Sequence, residues 1–489
     1  DDAGDTALFR NRHTHWLIDL TAGVTAGLRG PQRLEWAELV NTELPNLARA
    51  ADWGIGDGDP VDAMQIGVNL SWYAFLSSNV QNDERVILEL LERAEQAPTA
   101  LRCRAMMWSG LLSIGRTAKR TWAMDAIDVA RTAASTQVVS SATDIDGVRM
   151  TTEAIALART TGDPALLLEA LTIGSLHLAA IGSFPDVLQT LNDEARLLAA
   201  SLADPWHEAM VAALDGMAGY IAGELDASMA TLRSAIEAFI ALGDHGTGAL
   251  FEISFSEVAE LRGDIAAATS AMEAAVAFET QAGFLSSTVL RAVLCWLTGR
   301  NGEIQRALDL GQEVVALAHQ PFNPIIRAHG LFALGVAETL ADLPDAAAEH
   351  LGEALAIHQQ VGMRRETAMD HRHLGQLRYM LGDVDGAIAH YRHAVEIAVE
   401  VGLPWTVMLA ARSMAEALAD RQPELACRVL GNTEAISALF GYLPTPDERR
   451  LVDSSVATAI AHIGAEAVAA ATAAGAQLHY TDLPGLLAV

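Results

Sequence analysis

The 489-residue chain carries 32 basic and 62 acidic side chains, a formal net charge of −30 at pH 7. A field of that sign repels phosphate backbones and anionic lipid surfaces, which argues against direct nucleic-acid binding and membrane-surface attachment. With 51% hydrophobic but only 5% aromatic residues, Ala and Leu dominate the apolar content and favour helices over sheets.

From the start, DDAGDTALFR has neither a basic n-region nor an apolar core, and no apolar run reaches the ~18 residues of a membrane span. The absence of an initiating Met points to a processed product or an excised piece. Cys103, Cys295 and Cys427 stand far apart with no CxxC pair, which suits a reducing compartment, so the cytoplasm is expected. GIGDGDP (54–60) reads as a loop; its glycines have no preceding strand and its carboxylates would repel a pyrophosphate. Residues 60–160 read as helices without a fixed register, and NLS at 69–71 carries no weight as a glycosylation site without a secretory context. GRTAKRT (115–121) lacks the second Gly and the strand needed to cradle phosphate, and no complete phosphate loop exists elsewhere.

A repeat begins near residue 205. Helix breaks fall at Gly223, Gly263, Gly302, Asp342 and Gly382, at intervals of 40, 39, 40 and 40 residues. Each copy predicts helix A, a tight turn and helix B. Small residues recur around the turn: Gly216, Ser228 and Ala235; Ser256, Ala268 and Ala275; Gly335, Ala347 and Ala354; Gly375, Ala387 and Ala394. Such residues at a crossing let two helix axes approach to about 8–10 Å, while Leu232, Met272, Leu351 and Tyr391 fill the next layer. One hairpin cannot bury its own apolar face, so the copies must stack. The spacing of Gly, Ala twelve later and Ala seven later resembles the tetratricopeptide repeat, though the period exceeds the 34-residue unit and no Pro closes it. The expected fold is all-α: a TPR-like right-handed superhelical solenoid with a period of about 40 residues.

A degenerate copy is expected at 181–200, with its turn at Gly182, and Gln422 lies another 40 residues beyond Gly382. LPTPDERR (443–450) reads as a loop and the Ala-rich 455–475 as one helix. The expected organisation is a connector or cap over 1–60, divergent helical repeats over 61–204, TPR-like repeats over 205–425 and a helical cap over 426–489.

The ends carry a further resemblance. In LRGPQRLEWAELVNTELPNLARAADW (28–53), Trp36, Glu43, Asn46-Leu47 and Trp53 resemble the segment that follows the nucleotide-binding and winged-helix modules of bacterial STAND-class ATPases. PELACRVLGNTEAI (423–436) and IGAEAVAAATAAGAQL (463–478) are similar to the closing segment of the same proteins, which include large LuxR-type regulators and the antibiotic-regulatory (SARP-type) activators of actinobacteria. The resemblance implies the sensory, partner-binding half of a transcription regulator, with ATPase and DNA-binding modules outside this stretch, and it implies neither chemistry nor a cofactor.

In stacked helix pairs the A helices line the concave side, and their inward positions recur at fixed offsets from the small residues. The offsets select Tyr220, Glu257, Trp296, Arg300, His329, Phe332, Arg372, Gln376, Tyr379, Arg412 and Glu416 as ligand- or partner-contacting candidates. Aromatic surface with a few charges suits a small-molecule inducer or a peptide, and an Arg pairs with a carboxylate or phosphate. The alternative for each residue is structural: Trp296 and Phe332 pack between repeats while the arginines neutralise acidic neighbours. His390 and His393 are spaced to share a helix face, but with His371 and His373 they complete no recognisable metal set, so solvent-facing roles are expected and metal is not. No nucleophile elbow, Ser/His/Asp set or carboxylate pair stands out. Three functions remain: a non-catalytic ligand sensor, a peptide- or partner-binding scaffold, and an enzyme with dispersed catalytic groups. Self-association stays open.

Overall fold

The computed structural model describes residues 3–77, 80–112, 145–180, 185–282, 286–318 and 324–487. Two expectations, the degenerate turn at Gly182 and the discounted GRTAKRT stretch, lie outside them. Among the described residues every regular element is helical. No helix there is long and apolar enough to cross a membrane.

The helices in the first part of the chain are α1 (Ala3–Thr21), α2 (Val24–Leu28), α3 (Arg33–Ile55), α4 (Pro60–Ser77), α5 (Val80–Arg93), α6 (Thr99–Leu112), α7 (Ile145–Thr161), α8 (Pro164–Ala180) and α9 (Pro185–Leu202). The repeats follow as α10 (Pro205–Ala222), α11 (Leu225–Ala241), α12 (His245–Leu261), α13 (Ile265–Ala282), α14 (Ser286–Arg300), α15 (Ile304–Leu317), α16 (Pro324–Leu340), α17 (Pro344–Val361), α18 (Arg364–Met380), α19 (Val384–Glu400) and α20 (Pro404–Leu418). The chain continues through α21 (Pro423–Leu439), α22 (Pro446–Ile463), α23 (Ala465–Ala476) and α24 (Leu483–Leu487). The chain divides into two compact units. One comprises Asp1–Ala218, Ala230–Ser254 and Glu273–Ser287; the other comprises Gly219–Met229, Phe255–Met272 and Thr288–Val489.

The punctuation of the repeat is a backbone event. Gly223, Gly263, Gly302 and Gly382 have φ of +83°, +75°, +89° and +80°, and Asp342 adopts +59°. At each, two backbone bonds close the preceding helix; at Gly382 they run from Gly382 N–H to Tyr379 C=O and from Asp383 N–H to Arg378 C=O, at 3.0 and 2.9 Å. This Schellman arrangement satisfies carbonyls a helix end would otherwise leave open, and it demands the left-handed conformation that Gly adopts without a Cβ clash. The turns between repeats use the same device at Ala203, Gly243, Gly362 and Gly402, which the 40-residue count passes over. Asp383 then caps α19 by accepting from Gly386 N–H at 2.9 Å.

The small positions lie in the core. In the second unit, a Cβ on Gly375 would meet the Tyr391 ring at 2.7 Å, and one on Gly335 would meet Leu351 at 2.7 Å. Ala347, Ala354, Ala387 and Ala394 are fully buried. Cys295 takes the small position in the repeat that precedes them: its Sγ donates to Ala307 C=O at 3.1 Å within the hairpin and reaches Ala333 C=O of the next repeat at 3.5 Å. Contact to both neighbours is what stacked hairpins require. In the first unit, Leu232 closes on Gly216 in the same manner, its Cγ 2.6 Å from where a Cβ on Gly216 would sit.

The end segments differ from expectation in three places. Gln422 has φ −138°, and the turn there is made by Leu418 C=O, which accepts from both Arg421 and Gln422 N–H at 3.0 and 2.7 Å. The Ala-rich stretch is two helices, because Gly464 at φ +83° separates α22 from α23. The loop expected over 443–450 ends at Thr445, where Thr445 and Glu448 form a capping box that starts α22.

The segments behind the family resemblance are packing elements. In the first unit Trp36 covers Gly23 and Gly27, and Trp53 Nε1 donates to Asn11 at 2.9 Å. In the second, α21 and α23 cross at Gly431 and Gly475, and the buried Asn432 side chain donates to Leu478 C=O at 2.7 Å. All three cysteines are buried and unbridged.

Candidate functional site

All the selected A-helix residues belong to the second unit. Trp296 on α14 stacks on Phe332 of α16 with centroids 5.9 Å apart, and both meet the edge of His373 on α18, at 5.1 and 5.3 Å. Their outer faces cover the apolar cluster of Val336, Ala347, Leu351, Leu374 and Leu377, so these aromatics also pack between repeats. Trp296 Nε1 donates to Glu260 at 3.1 Å, and Arg300 pairs with the same carboxylate. Burial works against the Arg300 charge, and Glu260 and Glu448 more than offset it, holding the guanidinium above its ordinary range.

Arg372 donates to His373 Nε2 at 2.9 Å. Burial, then the Arg372 and Arg300 charges, push the His373 pKa well below the ordinary value, so the ring is a neutral acceptor. Arg412 on α20 donates to Ser437 at 3.0 Å, lies 5.5 Å from the Tyr442 centroid and stands 4.0 Å from Glu448. Tyr220 stacks on Trp405 at 4.9 Å. Burial first, then Glu257, raises its phenol pKa, and Glu257 pairs with Arg365 at 2.7 Å.

The other selected residues lie in separate surroundings. His329 tilts against His358 at 5.3 Å, and burial lowers its pKa to about 4. His358 in turn bonds Asp370 at 2.7 Å, both essentially inaccessible. Tyr379 packs at the edge of the cluster around Tyr391; burial, then the Glu416 and Asp420 charges, raise its pKa. Gln376 is half-buried on α18, and Glu416 is half-buried on α20 with its pKa raised by burial.

The histidines depart from expectation. His371 and His373 are buried, 9% and 4% exposed, rather than solvent-facing. His371 Nδ1 lies 3.0 Å from His390 Nδ1, and its ring is 5.4 Å from His393. The α18–α19 hairpin puts the A-helix ring against both B-helix rings, which spacing on one helix does not reveal. Among the described residues no group of His, Cys, Asp and Glu has metal-holding geometry.

Several contributors escape the offset count as applied. Glu260 sits at the same offset from its small residue as Tyr220 and Tyr379, so the same count can find it. Arg365 precedes Gly375 by ten positions and Trp405 precedes Ala415, 40 residues beyond Gly375, by the same ten, a shared offset outside the selected set. Tyr442 and Glu448 carry no repeat signal. In the first unit, Arg29 lies over Trp206 and Trp72 at 3.5 and 4.8 Å from their centroids. Burial lowers its pKa to about 10 against the opposing charges of Glu169, Asp244 and Asp204, and Trp206 Nε1 donates to Asp244 at 2.7 Å.

No protein-family profile matches the chain, and no curated protein does. Among solved structures, the chain is similar to a Rap protein complexed with competence and sporulation factor: TM-score 0.51, 12% identity, 84% of this chain and 96% of that one. BtubC from P. vanneervenii aligns with TM-score 0.34 at 20% identity, over 45% of this chain and 94% of its own. Yeast Tom70 aligns with TM-score 0.34 at 10% identity, over 86% and 99%. Together with the hairpins described above, the Rap likeness places the fold among TPR-like helical-repeat solenoids.

Proposed function

We propose that the chain is a non-catalytic partner-binding module, the sensory and autoregulatory half of a bacterial STAND-type transcription regulator. The observation that carries the binding role is the convergence of Trp296, Phe332, Arg300, Arg372 and Arg412 on one A-helix face, where aromatic surface lies beside charge. The regulator assignment rests on the two end segments and their resemblance, with 205–425 as the repeat core. In this reading a metabolite, peptide or protein bound along the A helices biases the repeat array, and through it an ATPase and a DNA-binding part. Ligand can do so only by binding one arrangement more tightly than the other.

The second reading is a scaffold that captures a peptide or partner helix with no small-molecule trigger. It is favoured by the likeness to the Rap protein, which was solved in complex with competence and sporulation factor. Thermal-shift screening of metabolites beside affinity capture with the purified chain separates the two. Saturable stabilisation by a metabolite supports the sensor. Capture of a partner without any such stabilisation supports the scaffold, and turnover of a substrate that one His or carboxylate substitution abolishes would overturn both.

A further inference from the structure

The second unit holds a piece of its own chain against the A-helix face. Between α21 and α22, Leu443 N–H donates to Leu261 C=O at 3.1 Å, and Arg262 donates to Gly441 C=O at 2.9 Å. Tyr442 is buried, 7% exposed, and its hydroxyl donates to Glu448. Glu448 then stands 3.7 Å from Arg300 and 4.0 Å from Arg412. The segment is therefore gripped through its main chain at Gly441 and Leu443, through the Tyr442 ring between them and through the Glu448 carboxylate at its far end, the way a groove holds a peptide.

The grip is incomplete. Arg412 is only 4% exposed, yet its Nε and Nη1 find no hydrogen-bond acceptor, and neither does the buried Nε of Arg372. Buried guanidinium N–H groups without acceptors are costly, and more so beside other cations. Arg372 feels both the Arg300 charge and the Glu448 charge. On a chain of net charge −30, three arginines share two carboxylates, Glu260 and Glu448, and still have donors to spare.

We propose that the face formed by Arg300, Arg372 and Arg412 is a peptide site for a segment bearing an aromatic residue and a carboxylate, and that residues 441–448 occupy it as a resident, displaceable stand-in. A competing segment with a second carboxylate supplies the acceptors that the resident one lacks. The main-chain contacts at Leu261 and Arg262 point to a peptide rather than a free anion. The proposal rests on the partner-binding reading and names the class of partner.

The probe is a fluorescein-labelled peptide of the chain's own residues 439–451, LFGYLPTPDERRL, titrated against the full chain by anisotropy. Tyr442→Phe with Glu448→Gln keeps the ring and the helix cap but removes the hydroxyl and the charge. This double variant should bind the peptide at least tenfold more tightly than the wild type, and adding Arg412→Ala should erase the gain. Glu448→Gln alone, which leaves Tyr442 and the Gly441 end as they are, is a second route to a smaller gain in the same direction should the double variant lose helicity. Equal binding by wild type and folded variants, equal binding of a scrambled peptide, or indifference to Arg412→Ala would overturn the proposal. A metabolite or protein that still binds the wild type in that event leaves the broader reading standing.

Discussion

Gly475 of α23 lies against the backbone of Arg428 in α21 so closely that a Cβ would fall 1.8 Å from the Arg428 carbonyl oxygen. No rotamer relieves that overlap, because both partners are backbone. Gly475→Ala should cost about 3 kcal/mol or more as the helices separate. Gly352, on α17, has no atom within 4 Å of its would-be Cβ. Gly352→Ala should instead stabilise by up to ~1 kcal/mol through helix propensity. Chemical denaturation of both variants checks this; similar midpoints would refute the crossing.

Gly375→Leu tests the repeat hairpin. The added side chain must displace the Tyr391 ring, already 2.7 Å from a Cβ position, at a cost of about 3 kcal/mol. Arg372→Ala, in the same helix, removes a guanidinium whose Nε is unpartnered and should change stability by less than about 1 kcal/mol. Equal loss of melting temperature in the two would contradict the faces assigned to α18.

Asp342 and Gly382 occupy equivalent turns at φ +59° and +80°. A side chain in that region costs roughly 1–2 kcal/mol. Asp342→Gly should relieve part of this and raise the melting temperature, whereas Gly382→Ala should lower it although nothing lies within 4 Å of its Cβ. The opposite pair of signs would show that packing, not backbone conformation, selects these residues.

Burial holds His329 and His371 at a pKa of about 4, with His390 adding to the effect at His371. The unfolded chain, with His near 6.5, binds more protons than the folded one between those values, so this stability is fully present above about pH 6.5 and is lost as pH falls toward 4. Asp370, raised by burial to about 6, works in the opposite direction between its ordinary range and that value. His373, also held down by burial, adds to the rings, and Glu416, raised by burial, adds to the carboxyl side; the rings prevail, so melting temperature should drop from pH 7 to pH 5, and His371→Gln should flatten the slope. A shift of that size is worth up to about 3 kcal/mol per ring, at ~1.4 kcal/mol per pKa unit. An unchanged slope in the variant would remove His371 from the account.

The repeat was legible because its determinants are local. A left-handed turn needs Gly, or a residue that tolerates the strain, wherever it occurs, and a close helix crossing needs a small residue at a fixed distance from that turn. Gly223, Gly263, Gly302, Asp342 and Gly382 therefore announce the hairpins in any context, and Ala387 and Ala394 announce which face of α19 is buried. The offsets selected Trp296, Phe332, Arg300 and Arg412, but said nothing of what each touches.

What tertiary structure alone decided is pairing across long stretches of chain. Arg300 meets Glu260 of one helix and Glu448 in the first turn of α22, and Tyr220 meets Trp405. Such contacts depend on how small rotations accumulate from hairpin to hairpin, a sum that no single turn or periodicity encodes. Tyr442 and Glu448 lie outside the repeat, so nothing in its rhythm announced that they would fill the face the repeat builds. Local backbone and volume rules specify the rods; the stacking of those in the second unit specifies the site.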